Sequence, residues 1–380
     1  MEITQPLPLL GGLSAAQFMR RHWQKKPLLV RQAISAMVPP IERSALFALA
    51  EREDVESRLI RHGKTGWTLK PGPLARRALP PLKQPEWTLL VQGVDLHHDG
   101  VHALLQQFRF LPDARLDDLM ISYASDKGGV GAHFDSYDVF LLQAQGTRRW
   151  SIGKQSDLRL QQGVPLKILE QFEPEQSFVL EPGDMLYLPP RYAHDGVAVG
   201  DDCMTCSIGL RSSAAGELGA DLLARMAQAY SEALEDAGPA ELARYRDPSQ
   251  PAVDAPAAMP AALQAFARKA VDAALRDPDA IDRALGESLT EPKANVWFDE
   301  GTEAPNVLRS VALDRRTRML YDARHLYING ESFRAGGADA TLMRRLADQR
   351  ALGPRELARA SSGALALLAE WCEAGWLHAD

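Results

Sequence analysis

Residues 128–153 read GGVGAHFDSYDVFLLQAQGTRRWSIG, and residues 181–196 read EPGDMLYLPPRYAHDG. The first stretch sets His133 and Asp135 one residue apart; the second delivers His194 after a Gly-Asp-x-x-Tyr-x-Pro-Pro turn. On a strand, residues i and i+2 share a face, so His133 and Asp135 can bind one metal ion together. His194 would then arrive from a distant strand. Two imidazoles and one carboxylate hold non-haem Fe(II) on one side and leave the other open for chemistry.

Working outward, the chain between 119 and 210 breaks into short apolar runs separated by Gly, Pro and Asp. The runs 119–125, 133–137, 139–143, 148–152, 178–180, 185–188, 197–199 and 204–210 predict about eight strands, enough for a small barrel. The triad spacing fits a double-stranded β-helix, or cupin barrel. The approach to His194, Gly183-x5-Pro189-x-Arg191-x2-His194, nearly repeats the second cupin motif, with Arg191 where a glycine is usual.

Arg148 follows Gly146-Thr147 and shares parity with Trp150 and Ile152, so it should point into the barrel. A buried guanidinium needs an anion, and two remain open: the far carboxylate of 2-oxoglutarate, or an internal carboxylate such as Asp138. Ser122 either adds a hydroxyl contact to that cosubstrate or is incidental. Tyr137 shares parity with the ligands and either lines the substrate entry or packs in the core. Cys203 and Cys206, three residues apart, would face opposite ways on a strand and read as packing residues rather than a redox pair. His22, His62, His97, His98, His102, His325 and His378 lack the triad's context; the 97–102 group reads as a solvated helix start.

The rest of the chain divides around this barrel. Residues 1–100 are mixed α/β and support it, with a capping box at Ser14 and Gln17, helices near 15–20 and 44–52, and strands at 66–69 and 87–91. The barrel domain spans 101–212. From 213 to 285 the spacing is helical, with apolar stripes at Leu218, Leu222, Met226, Tyr230 and at Leu263, Phe266, Val271, split by a Pro/Ala linker at 247–260. So small a helical segment buries little alone, which suggests packing on a second subunit. Residues 286–380 combine strands at 311–313, 318–321 and 326–328, an Asn329-Gly330 hairpin, and three short helices, a winged-helix-like pattern. The fold class is therefore α+β.

The 380 residues carry 43 Lys+Arg against 50 Asp+Glu, a net charge of −7, so nothing attracts nucleic acid globally. Residues 290–380 are as uncommitted, with 12 basic and 13 acidic side chains. Direct nucleic-acid binding is not expected. Three cysteines make no disulfide framework, and neither a membrane helix nor a secretion signal is visible, so a cytoplasmic setting is expected.

The stretches 117–153 and 181–196 resemble the JmjC-type ribosomal oxygenases, especially their bacterial branch of ribosomal-protein arginine hydroxylases. FMRRHWQKKPLLVRQA (18–33) and WTLLVQGVDLH (87–97) are similar to the same family's N-terminal segments. The helical and C-terminal sections resemble its dimerisation and winged-helix domains. The resemblance implies Fe(II) at His133, Asp135 and His194, and 2-oxoglutarate at Arg148 and Ser122. It implies β-hydroxylation by O2 of an arginine on ribosomal protein sixteen of the large subunit, in a homodimer. Related members hydroxylate ribosomal histidines instead, and a cupin dioxygenase acting on a small molecule would keep the metal without needing Arg148.

Overall fold

The computed structural model describes residues 2–64, 66–237, 244–299, 308–334 and 336–379. Parts of the helical and winged-helix-like ranges, at 238–243, 300–307, 335 and 380, fall outside the described residues. Two compact units form, one of residues 1–212 with 294–297 and one of 213–293 with 298–380.

In the first unit, one nine-stranded antiparallel sheet joins the N-terminal residues to the barrel. Its strands are β1 (Leu28–Val30), β2 (Ser57–Gly63), β3 (Gly66–Pro71), β4 (Trp87–Val91), β5 (Leu116–Ala124), β6 (Val139–Gly153), β7 (Gln176–Leu180), β8 (Met185–Leu188) and β9 (Ala193–Leu210). Their order is β1-β8-β6-β9-β5-β4-β2-β3, with β7 also on β6. Helices α1 (Ala15–Arg21), α2 (Arg43–Ala50) and α3 (Asp99–Gln106) lie in the same unit. Ser14 caps α1 with the expected reciprocal pair: Gln17 N–H donates to Ser14 Oγ at 3.2 Å, and Ser14 N–H donates to Gln17 Oε1 at 3.0 Å. Phe18 and Phe108 pack edge-on or tilted against Phe140 of β6 and Tyr187 of β8 in the core, where burying large apolar surface favours folding.

The barrel has fewer and longer strands than the eight expected. The runs 139–143 and 148–152 are one strand, β6, and the runs 197–199 and 204–210 are one strand, β9. Gly146 is not a turn but part of an irregularity in the β6–β9 ladder, where the register shifts twice between Gln143 and Thr147. A Cβ at Gly146 would stand 2.7 Å from the Asp202 carbonyl oxygen, so only glycine lets the two strands approach there. The run 133–137 is not a strand. His133 forms a single bridge with His194, and the Asp135 carbonyl instead accepts from Arg191 N–H at 2.7 Å.

In the second unit, α4 (Ala215–Ala237), α5 (Ala261–Ala274) and α6 (Ala280–Thr290) precede a mixed domain. That domain has sheets β14-β10-β15 and β11-β12-β13, with β10 (Val311–Leu313), β11 (Met319–Tyr321), β12 (His325–Ile328), β13 (Glu331–Arg334), β14 (Ala351–Leu352) and β15 (Leu377–Ala379). Its helices are α7 (Gly337–Gln349), α8 (Pro354–Leu357) and α9 (Ser362–Glu373), whose Leu346, Leu368 and Trp371 close over Val311 and Ile328. Asn329 and Gly330 both take positive φ (48° and 90°), the conformation of the expected two-residue hairpin between β12 and β13.

Candidate metal centre

The backbone builds the site before the side chains do. His133 and His194 exchange both ladder hydrogen bonds, at 2.9 and 2.8 Å, and so stand directly opposite one another. Each ring repeats one local motif: His133 Nδ1 lies 2.9 Å from the Gly131 carbonyl, and His194 Nδ1 lies 2.8 Å from the Tyr192 carbonyl. A carbonyl only accepts, so Nδ1 carries a hydrogen in both rings, and Nε2 is the atom left to bind a metal. That is the tautomer and aim a metal ligand requires.

One ligand atom from each of His133, Asp135 and His194 lies within 4.8 Å of the others. His194 Nε2 is 3.6 Å from Asp135 Oδ2, and the two imidazole centroids are 4.3 Å apart. Burial pushes the His194 imidazole down to about 4; His133 pushes the same way and Asp135 opposes. The ring is thereby neutral at ordinary pH, as coordination demands.

The glycines before His133 are required by close approach. A Cβ at Gly128 would meet the Trp87 carbonyl oxygen at 2.3 Å, and one at Gly129 the Gly196 carbonyl oxygen at 2.7 Å. Gly131 has φ +82°, and its Cβ would meet Ile168 at 2.9 Å. Arg191 takes φ +62°, the left-handed conformation for which glycine is usual in the motif.

A cavity of about 280 Å³ opens above the triad and is also lined by Ser122, Tyr137 and Arg148. Arg148 is 3% exposed on the inward face of β6, while Arg149 faces out, as parity requires. Asp138 is not its partner. That carboxylate accepts from Tyr187 Oη at 2.6 Å and Gln24 Nε2 at 2.9 Å, with Arg115 at 3.5 Å. Among the described residues Arg148 makes no ion pair, and its Nη2 is buried with no hydrogen-bond partner. Ser122 is 4% exposed on β5 and borders the same space. Tyr137 is not a core residue: it is 39% exposed. Partial burial and then the Asp135 charge raise its phenol above the usual range, so it remains a donor.

Sequence reasoning left several lining residues unnamed. Asp117 and Asp118 come from the start of β5, Arg58 and Ile60 from β2, and Lys167 from the segment between β6 and β7. Trp150 stands 5.8 Å from His194 and 5.7 Å from the Arg148 guanidinium carbon, between the two halves of the site. Its parity with Arg148 places it on the inner face of β6, as the sequence indicates, without giving it a part in the site. Cys206 is a core residue whose thiol is pushed up to about 12 by burial, as a packing role requires. Cys203 is more than packing, because Arg148 Nε and Gln143 Nε2 both donate to its sulfur at 3.4 Å.

The antiparallel sheet domain, with two imidazoles and one carboxylate clustered in a cavity that a buried arginine also lines, has a JmjC-type fold. Residues 103–218 match the JmjC domain family, and residues 273–378 match the ROXA-like winged helix. The chain is 40% identical over 209 residues to a ribosomal protein uL16 3-hydroxylase of Escherichia coli, covering 54% of this chain and 55% of that one. It spans about half the length of the curated relatives it matches. A solved structure of E. coli YcfD superposes with a TM-score of 0.81 at 29% identity, covering 97% of this chain and 98% of the other. A second YcfD structure, a ribosomal oxygenase in complex with cobalt and 2-oxoglutarate, superposes at 0.77 with the same identity and coverage.

Proposed function

We propose that the chain is an Fe(II)- and 2-oxoglutarate-dependent oxygenase that hydroxylates a side chain of a large-subunit ribosomal protein, with an arginine of ribosomal protein uL16 as the favoured target. One observation carries this reading. The triad and an unpaired, buried Arg148 line one cavity, so a metal ion and a dicarboxylate have complementary partners within it. The donor set fits iron: two imidazoles held through Nδ1, with Nε2 left to coordinate, and one carboxylate leave half of an octahedron for other ligands.

Iron held there would supply oxygen activation coupled to oxidative decarboxylation, so that 2-oxoglutarate, O2 and the substrate C–H become succinate, CO2 and an alcohol. His133, Asp135 and His194 would hold it, each imidazole fixed in rotation by a backbone carbonyl. Arg148 would bind the far carboxylate of the cosubstrate through its free Nη2 edge, with the Ser122 hydroxyl beside it. Ile60, Leu90, Met120 and Leu141 line the cavity with apolar surface, which excludes water. Asp117, which also pairs with Arg211, and Asp118, which also accepts from Gln92 Nε2 and Gly93 N–H, put negative charge in the lining, suited to a cationic side chain.

The same proposal places the chain in the cytoplasm as a homodimer, with no direct binding to nucleic acid. No helix among the described residues is long and apolar enough to cross a membrane. The test is succinate release that depends strictly on 2-oxoglutarate, paired with mass spectrometry of ribosomal proteins made with and without the chain. Asp135→Ala should abolish turnover and metal binding while the fold survives; retained turnover would overturn the iron assignment. Arg148→Ala should weaken 2-oxoglutarate far more than metal.

A further inference from the structure

The cavity's anchor is itself anchored. Arg148 is held from behind by a thiol: its Nε donates to Cys203 Sγ at 3.4 Å, across 55 residues of chain. Cys203 is fully buried and clusters with Ala124 and Ala198. The sulfur is fixed from a second direction, because Gln143 Nε2 also donates to it at 3.4 Å. Gln143 is in turn immobilised: Thr205 Oγ1 donates to its Oε1 at 2.9 Å, and its Nε2 reaches the carbonyls of Gln145 and Gly146 at 2.8 and 3.2 Å. The strand irregularity at Gly146 makes this possible, since a Cβ there would stand 3.0 Å from Cys203 Cα.

A free arginine side chain has many rotamers, and each must be given up when it binds a carboxylate. Here the Nε side of the guanidinium is already committed to sulfur and its face to Trp150, while Nη2 is left without a partner. We propose that Cys203 is a positioning residue: its sulfur holds the Arg148 guanidinium in the rotation that offers the Nη2 edge to a carboxylate of the cosubstrate. This rests on the oxygenase reading above, and it adds a role that spacing and parity do not reveal. Serine, which keeps an acceptor at that position, is expected to substitute; alanine, which keeps only the small volume, is not.

The experiment measures 2-oxoglutarate binding by calorimetry with Mn(II) in place of iron, alongside Mn(II) affinity and thermal melting, for the full chain and for Cys203→Ala and Cys203→Ser. Loss of one weak hydrogen bond to a charged group should weaken 2-oxoglutarate about fivefold in Cys203→Ala. Mn(II) affinity should stay unchanged, KM for 2-oxoglutarate should rise with kcat held, and Cys203→Ser should remain within about twofold of the native chain. Native binding in Cys203→Ala, or equal losses in Ala and Ser, would overturn the positioning role. Should Cys203→Ala fail to fold, Thr205→Val reads the same chain of contacts through Gln143. A loss of about twofold is expected there, and unchanged binding would overturn the proposal. A native chain that binds Mn(II) but no 2-oxoglutarate would overturn the oxygenase reading itself, which separates the two failures.

Discussion

Arg191 holds a left-handed backbone (φ +62°) while its N–H clasps the Asp135 carbonyl at 2.7 Å, so a strained residue secures the ligand-bearing segment. For a non-glycine residue that conformation costs roughly 1–2 kcal/mol, and glycine recovers it at an entropic cost of about 0.5–1 kcal/mol. Arg191→Gly should therefore stabilise the chain by up to about 1 kcal/mol in denaturant unfolding; a clear loss would show that the arginine side chain is used. Asp314 makes a second residue-level case, in the winged-helix unit. Burial pushes its carboxyl up, but hydrogen bonds from Arg316, at 2.8 Å, and His378, at 2.8 Å, outweigh it and hold it below the usual carboxylate range. A depressed carboxylate stabilises the fold above its unfolded pKa, and that contribution fades as pH falls through the folded one. Asp314→Asn should thus lower the melting point at pH 7, by about 1–3 kcal/mol of stability. The gap should close in acid well below pH 4, where the native carboxyl is protonated too; a gap independent of pH would show that the charge is irrelevant. At this scale the clustering of His133, Asp135 and His194 follows from residue type and spacing although their segment is not a strand, while strand parity alone turns Arg148 inward. Cys203 was not legible in this way, since its partner lies across a strand irregularity that no spacing reveals.

Helices and hairpins followed their local signals: the Ser14 capping box, the Asn329-Gly330 turn and the β4 run all formed where the residues placed them. Elements that depend on distant partners did not. Helix α6 carries Gly286 mid-helix, a poor helix residue, because the Tyr327 ring leaves no room for a Cβ, which would stand 2.3 Å away. Strands β6 and β9 were split on paper at Gly146 and near Gly200, yet each runs through, since pairing along 13 positions outweighs the local breaks. The same pairing sets Trp150 opposite Gly196, where a Cβ would meet the indole ring at 2.5 Å. Gly196→Ala must push the indole aside, an overpacking cost of roughly 1–3 kcal/mol. Because Trp150 stands between His194 and Arg148, the variant should weaken both metal and 2-oxoglutarate binding, unlike Arg148→Ala, which spares the metal. Calorimetry on the two variants distinguishes them; native binding in Gly196→Ala would mean the indole has room to move.

Over the whole chain, the two units differ in how well they bury their apolar residues. The first wraps a large core drawn from Leu9 to Leu210, with a second cluster of Val139, Leu141, Trp150, Ile152, Leu180, Leu186 and Leu188 in the same unit. In the second, α5 has no buried residue, Leu223 on α4 is 61% exposed and Val271 on α5 is 60% exposed. A helical segment that leaves such side chains in water gains little from folding unless another surface covers them. The composition already pointed there, since 213–285 alternates apolar stripes with a Pro/Ala linker and offers no second layer of its own. A second copy of the same chain is the simplest cover, through a self-complementary two-fold contact. Sedimentation should then report a dimer for the native chain at micromolar concentration. Leu223→Glu combined with Val271→Glu should halve the mass, because a carboxylate buried across such an interface costs several kcal/mol. Far-ultraviolet circular dichroism should stay native, since both positions face solvent within one chain. A native chain that sediments as a monomer would leave these exposed side chains to a different partner, and a double variant that still sediments as a dimer would place the interface elsewhere.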